Sequence, residues 1–206
     1  MTFYLALIVA PTDQAQGHAQ RIVYFHVPLV WVSFIAFISA AVYSLKYLRL
    51  RNSFDDVKAE SLNLIGWLFT STVLITGPLW AKPIWGIFWD WSDERLVSFF
   101  VMWMMYNVYF MLRLSITDRE KAARISAVLS FLALANAGLV FAAIFIWKTN
   151  SHPSSLFIKN KSGGFKNTMM KWAFWGNILS FLLLFFTLTW VTVRYKSKKA
   201  EVENYA

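Results

Sequence analysis

Cysteine is absent from this chain, which excludes structural disulfides, thiolate metal centres and thiol chemistry together. Charge is scarce: 15% of the residues are Asp, Glu, Lys or Arg, against roughly 25% in soluble domains. No ionisable side chain lies in the central part of any long apolar run, where a proton- or ion-coupled transporter would normally carry one. With 8 glycines and 5 prolines, the sequence holds no Gly-rich phosphate loop. Paired catalytic carboxylates and an activated nucleophile are equally absent, so no enzyme class suggests itself. Only 3 histidines are present.

What remains is apolar and aromatic, at 58% and 18% of 206 residues. The segments Ile22–Leu48, Leu62–Trp80, Leu96–Leu114, Ile125–Trp147 and Trp172–Val193 run almost without ionisable side chains. Each has the roughly 20 residues a helix needs to cross a bilayer, and in lipid only a helix or a closed barrel satisfies its own backbone. A soluble all-α protein would need five helices that are apolar on every face. The expected fold is therefore an all-α polytopic membrane bundle, one integral domain over residues 1–206. Met1–Ala10 is apolar but covers only about 15 Å as a helix, so a first span, short or incomplete, brings the expected total to about six. No basic stretch precedes it, which argues against a cleaved signal peptide.

The basic residues set an expected orientation. Counting Met1–Ala10 as the first span, twelve of the 20 lysines and arginines fall at or between the facing ends of the second and third spans, at or between those of the fourth and fifth, or after the last. This side, with the C-terminus, is expected to be cytoplasmic. The net charge of +9 then reads as topology and attraction to anionic membrane lipid, and nucleic acid is not an expected partner. All five prolines and eight of the eleven tryptophans lie on or near the other, outer side. A plain anchoring belt would populate both interfaces, so the outer face is the expected working end.

Two outer stretches stand out there. Residues 80–98 form a tryptophan-rich connection containing Trp85, Phe88, Trp89, Trp91, Asp93 and Arg95. A connection needs only polar residues and turn formers, so its rings suit either a membrane surface or a flat, apolar, anionic ligand such as haem. The second stretch, 148–171, carries His152 before Pro153, and His26 lies two residues before Pro28 at the start of the second span. Proline stiffens the backbone at both places. Two imidazoles on one face can ligate an iron from above and below its plane, or be unrelated interfacial histidines. A zinc site lacks an evident third ligand. His18 sits in a polar loop and reads as solvated. Arg21, Lys82 and Arg95 flank the tryptophan loop as candidate partners for propionates, or as ordinary snorkelling cations.

The run from Gly77-Pro78-Leu79-Trp80 through Trp85-Gly86-Ile87-Phe88-Trp89-Asp90-Trp91 to Arg95-Leu96 resembles the "WWD" signature of haem-handling proteins of cytochrome c maturation. Ala10-Pro11 and Arg21-Ile22-Val23-Tyr24-Phe25-His26-Val27-Pro28 are similar to the segment preceding that loop in the CcmC branch. Spacing and length favour CcmC over the larger CcmF and CcsA proteins. The likeness is strongest in these two motifs and runs from about residue 10 to residue 153. Ser92 departs from the pattern, standing inserted between Trp91 and Asp93. Asp93 rather than Asp90 is expected to take the family's aspartate position, because it keeps Arg95 in register. Before His152 the usual tryptophan and leucine are missing.

The resemblance implies six spans and a b-type haem held transiently at the outer face of the inner membrane. His26 and His152 would be its iron ligands and the tryptophan loop its cover. It implies hand-over to a membrane-anchored periplasmic haem chaperone, with ABC transporter subunits and a small one-span subunit as partners. The rival expectation is a bis-histidine b-type electron carrier, which usually places its histidines within facing helices.

Overall fold

The computed structural model describes residues 2–146, 165 and 167–205. Among them there is no strand, and the elements run α1 (Thr2–Tyr4), α2 (Val23–Leu50), α3 (Ser53–Trp85), α4 (Glu94–Ser115), α5 (Arg119–Ile146) and α6 (Thr168–Tyr205). Five of the described helices are long and apolar enough to cross a membrane. The protein is an all-α polytopic membrane bundle. The segment expected as a short first span is helical, α1 continuing as one π-helical turn over Leu5–Val9. Its eight residues cover only about 12 Å, well under the hydrocarbon thickness.

Local chemistry sets where each helix stops and starts. Arg51 takes the left-handed conformation at φ 55° and closes α2, and the Asn52 side chain accepts the Phe54 N–H at 2.9 Å to open α3. Such a side-chain cap satisfies one of the donors a helix start leaves over. A two-residue connection then makes α2 and α3 antiparallel neighbours. Asp118 accepts the Lys121 N–H at 3.0 Å before α5, and Asn167 accepts that of Met169 at 2.7 Å before α6.

Helix α2 is the centre, packed against α3, α5 and α6, while α4 leans on α5. The tightest approach is Phe37 of α2 against Gly66 of α3. A Cβ on Gly66 would lie 2.4 Å from the Phe37 ring, and that ring stacks on Tyr106 of α4 at 3.9 Å. Phe37 and Tyr106 are fully buried. With lipid outside, close packing and interhelical hydrogen bonds hold such helices together. Asn63 of α3 donates to Ser130 of α5 at 3.3 Å, Asn136 of α5 to the Ser98 carbonyl of α4 at 2.9 Å, and Asn177 of α6 to the Thr2 carbonyl at 3.4 Å. At the end remote from the tryptophan loop, Arg113 of α4 grips Asp56 of α3 through two 2.8 Å bonds. Glu60 joins Arg113 at 3.2 Å and Lys196 of α6 at 2.6 Å, tying three helices at that end.

Gly66→Ala should therefore lower stability by about 1–3 kcal/mol through overpacking. Thermal unfolding in detergent micelles would show it as a reduced midpoint, and an unchanged midpoint would refute the close approach.

Candidate functional site

The end of the bundle that carries the tryptophan loop gathers the start of α2, the last turns of α3, the start of α4 and the start of α6. Its core is a second apolar cluster that includes Ala6, Val23, Tyr24, Trp80, Phe165, Met170 and Phe174. His26 belongs here. It sits in the first turn of α2, preceded by a 3-10 turn over His18–Ile22, so the helical run is already under way when the imidazole is reached. Pro28 lies inside the helix as its sixth residue, so the Tyr24 carbonyl receives no i→i−4 hydrogen bond from it.

The His26 ring is 8% exposed and rests on α3. Its Nδ1 lies 2.9 Å from the Thr76 hydroxyl, its ring centroid 5.9 Å from that of Trp80, and a Cβ on Gly77 would stand 3.2 Å from its Cε1. Trp80 is buried, donates its indole N–H to Gln16 Oε1 at 3.3 Å, and packs on Trp85 at 5.7 Å. A chain of rings thus leads from His26 through Trp80 to Trp85 at the start of the loop.

The connection itself is Gly86–Asp93, shorter at both ends than the expected 80–98. Trp80–Trp85 continue α3 despite Pro83, and Gly86 ends it in the left-handed conformation at φ 78°. The Lys82 ammonium donates to the Gly86 carbonyl at 2.8 Å and lies 5.1 Å from the Phe88 ring centre. Asp90 accepts both the backbone N–H and the hydroxyl of Ser92, at 2.9 and 2.6 Å. These bonds hold its carboxyl below the ordinary range. Ser92, the residue out of register with the motif, is thus the partner that closes this turn.

Asp93 has a different task. It is 2% exposed and caps α4, accepting the N–H of Arg95 and Leu96 at 3.0 and 3.4 Å. The Arg95 guanidinium, itself buried, pairs with the same carboxylate at 3.0 and 3.3 Å. Arg21 is engaged elsewhere: it donates to the Leu7 carbonyl, to that of Ala10 at 3.5 Å and to the Thr12 hydroxyl at 3.4 Å, closing the C-terminal end of the N-terminal segment.

Trp89 and Trp91 turn to another side of α3. They meet each other at 5.7 Å and Phe100 of α4 at 6.1 and 5.8 Å. Phe100 stacks on Trp103 at 5.8 Å, whose indole donates to Ser71 at 2.8 Å. With Leu74 and Ile75 these rings line an open apolar groove of about 430 Å³ between α3 and α4. At 100° per residue, Ser71, Leu74 and Ile75 lie on the face of α3 opposite Thr76, Gly77 and Trp80. The structure therefore brings Trp85 toward His26 and sends Trp89 and Trp91 to the groove, while Phe88 is exposed. His18 is exposed. His152 lies outside the described residues.

The chain matches the family model described as CcmC, heme exporter protein C, over residues 1–205. It belongs to the CcmC family. Among similar CcmC-family proteins, the heme exporter protein C of Bradyrhizobium diazoefficiens is 31% identical over 194 residues, covering 94% of this chain and 71% of that protein. Heme exporter protein C of Escherichia coli K12 is 31% identical over 185 residues, or 90% and 73%. A putative cytochrome c biosynthesis ccmC-like mitochondrial protein of Marchantia polymorpha is 34% identical over 156 residues, 76% of this chain and 65% of the relative.

Sequence reasoning singled out His26 in this CcmC-family chain but missed Thr76, Gly77 and Trp80 as its neighbours. One signal was available: Thr76 and Trp80 are four residues apart and so share a helix face. Asp93→Ala should cost at least about 2 kcal/mol, because it removes a helix cap and the carboxylate facing a buried guanidinium. Asp90→Ala, in an exposed turn, should change stability by less than about 0.5 kcal/mol. Chemical unfolding of both variants compares them directly, and equal losses would count against these separate roles.

Proposed function

We propose that this CcmC-family protein binds haem at the outer face of the inner membrane and hands it to a haem chaperone during cytochrome c maturation. The observation that carries the reading is His26: a buried imidazole braced by Thr76 and flanked by Trp80, at the end of the bundle where the tryptophan loop emerges. The names of the relatives, heme exporter protein C and putative cytochrome c biosynthesis ccmC-like mitochondrial protein, support the cargo and the pathway.

The residues present suit haem. Imidazole is an ordinary axial ligand of haem iron, and the indole faces of Trp80 and Trp85 offer apolar cover for a flat ring. Lys82, exposed in the last turn of α3 beside the loop, is a candidate cation for a propionate. Arg95 and Arg21 are candidates of the same kind, with Arg95 already shared with Asp93 and Arg21 with backbone carbonyls. Phe88 would cover haem from the exposed rim, whereas Trp89 and Trp91 face the groove on the opposite side of α3, away from His26. His152 is proposed as the second iron ligand, on the resemblance of its position after the fifth span. The bound haem is b-type and transient, because a cargo must leave. The tryptophan loop faces the periplasm and the C-terminus the cytoplasm, following the lysine and arginine bias. ABC transporter subunits, a one-span subunit and surrounding lipid complete the proposed setting. The protein's part is ligation, water exclusion and release, with no bond made or broken in a substrate.

Purified wild-type protein loaded with haem should show a Soret band that His26→Ala and His152→Ala each abolish or shift. Spectra unchanged in both variants would sink the ligand assignment. Loss of the haem to a soluble periplasmic acceptor, as opposed to reversible redox cycling with retention, separates delivery from the electron-carrier alternative.

A further inference from the structure

We infer that Thr76 and Gly77 are positioning residues that seat His26, Thr76 by fixing which ring nitrogen carries the proton and Gly77 by giving the ring its room. The inference concerns the protein's own imidazole; only its consequence for haem rests on the function proposed above.

The proton count follows from three distances. Thr76 Oγ1 lies 2.9 Å from His26 Nδ1, 2.9 Å from the Thr72 carbonyl and 3.3 Å from the Val73 carbonyl. A hydroxyl has one proton and two lone pairs. Both carbonyls are acceptors only, so the hydroxyl proton belongs to one of them. Were it given to Nδ1 instead, the hydroxyl oxygen would face two carbonyl oxygens with no hydrogen between. The consistent arrangement has Thr76 donating down its own helix and accepting from Nδ1–H. The neutral imidazole then carries its lone pair on Nε2. A second-shell partner on one ring nitrogen is the usual means of fixing the tautomer and the ring plane of a metal-binding histidine.

Gly77 supplies the clearance. Its missing Cβ would fall 3.2 Å from His26 Cε1, tighter than ordinary contact, so any larger residue displaces the ring. Deeper in the bundle Gly66 and Phe37 hold the same two helices in close contact. Thr76 and Gly77 are consecutive on α3, one beside Nδ1 and the other beside Cε1. Together they define the position and the tautomer of the imidazole.

The test reads the apo protein first. Histidine labelled with ¹⁵N, in micelles at a pH well above the imidazole range, reports neutral tautomers through its nitrogen shifts. His26→Gln identifies the signals. Wild type and Thr76→Ser should show His26 as the Nδ1–H form, and Thr76→Val should shift it toward Nε2–H. An Nε2–H form in wild type, or an unaltered Nδ1–H form in Thr76→Val, would overturn the inference. If Thr76→Val does not fold, wild type and Thr76→Ser still decide it. After haem loading, Thr76→Val should release haem about tenfold to a hundredfold faster, Thr76→Ser should restore the wild-type rate, and Gly77→Ala should speed release with the tautomer unchanged. Absence of any Soret band in wild type, with the expected tautomer present, would remove the haem reading and leave the seat of His26 standing.

Discussion

The register between α2 and α3 is the constraint on which this end of the molecule depends. The helices run antiparallel from a two-residue turn, and Gly66 lets the Phe37 ring lie against the α3 backbone. From that contact His26 is eleven residues back along α2, about 16 Å, and Thr76 ten residues forward along α3, about 15 Å. One close contact deep in the bundle thus sets the level at which hydroxyl and imidazole meet. In a lipid environment such packing is the main source of helix association. A slip of one residue would carry Thr76 to a different side of α3 by a rotation of about 100°.

The same helix divides the aromatic residues. One face of α3 gives Thr76, Gly77 and Trp80 to His26, and the opposite face gives Ser71, Leu74 and Ile75 to the groove shared with Trp89, Trp91, Phe100 and Trp103. The loop bridges the two faces in eight residues, and its polar members hold that bridge. Gly86 turns the chain out of α3, Asp90 and Ser92 close a turn, and Asp93 starts α4 while holding Arg95. At the far end Arg113, Asp56, Glu60 and Lys196 join α3, α4 and α6. The charges in this protein therefore gather at the two ends, and the middle is left to packing and amide hydrogen bonds.

Apolar run length made the five long helices legible, since a segment of twenty residues without charge has few alternatives in structure. The ends were less legible. Trp80–Trp85 belong by composition to the tryptophan-rich connection, yet they continue α3 through Pro83, as a helix tolerates proline in a bundle where neighbours restrain it. Asn52 and Asp93, which decide where α3 and α4 begin, look like ordinary loop polar residues until their side chains are seen to accept backbone N–H groups. His26 was legible from its place before Pro28. Its seat was not, because Thr76 and Gly77 become neighbours of His26 only through a fifty-residue separation in sequence. Composition shows that the loop is rich in rings. Which ring faces which side of α3 depends on helical phase beyond the loop, which composition does not carry.

Family membership, a buried imidazole at the tryptophan-loop end and rings leading to that loop converge on haem as cargo. His26 is the point at which these lines meet, and its role is tested most directly by removing the ring and returning it as a free molecule. His26→Gly protein, loaded with haem in micelles, should lack the wild-type ligand-field spectrum and regain it when imidazole is added, since Thr76 and Gly77 would still frame the vacated position. A wild-type spectrum in His26→Gly without added imidazole would contradict the account.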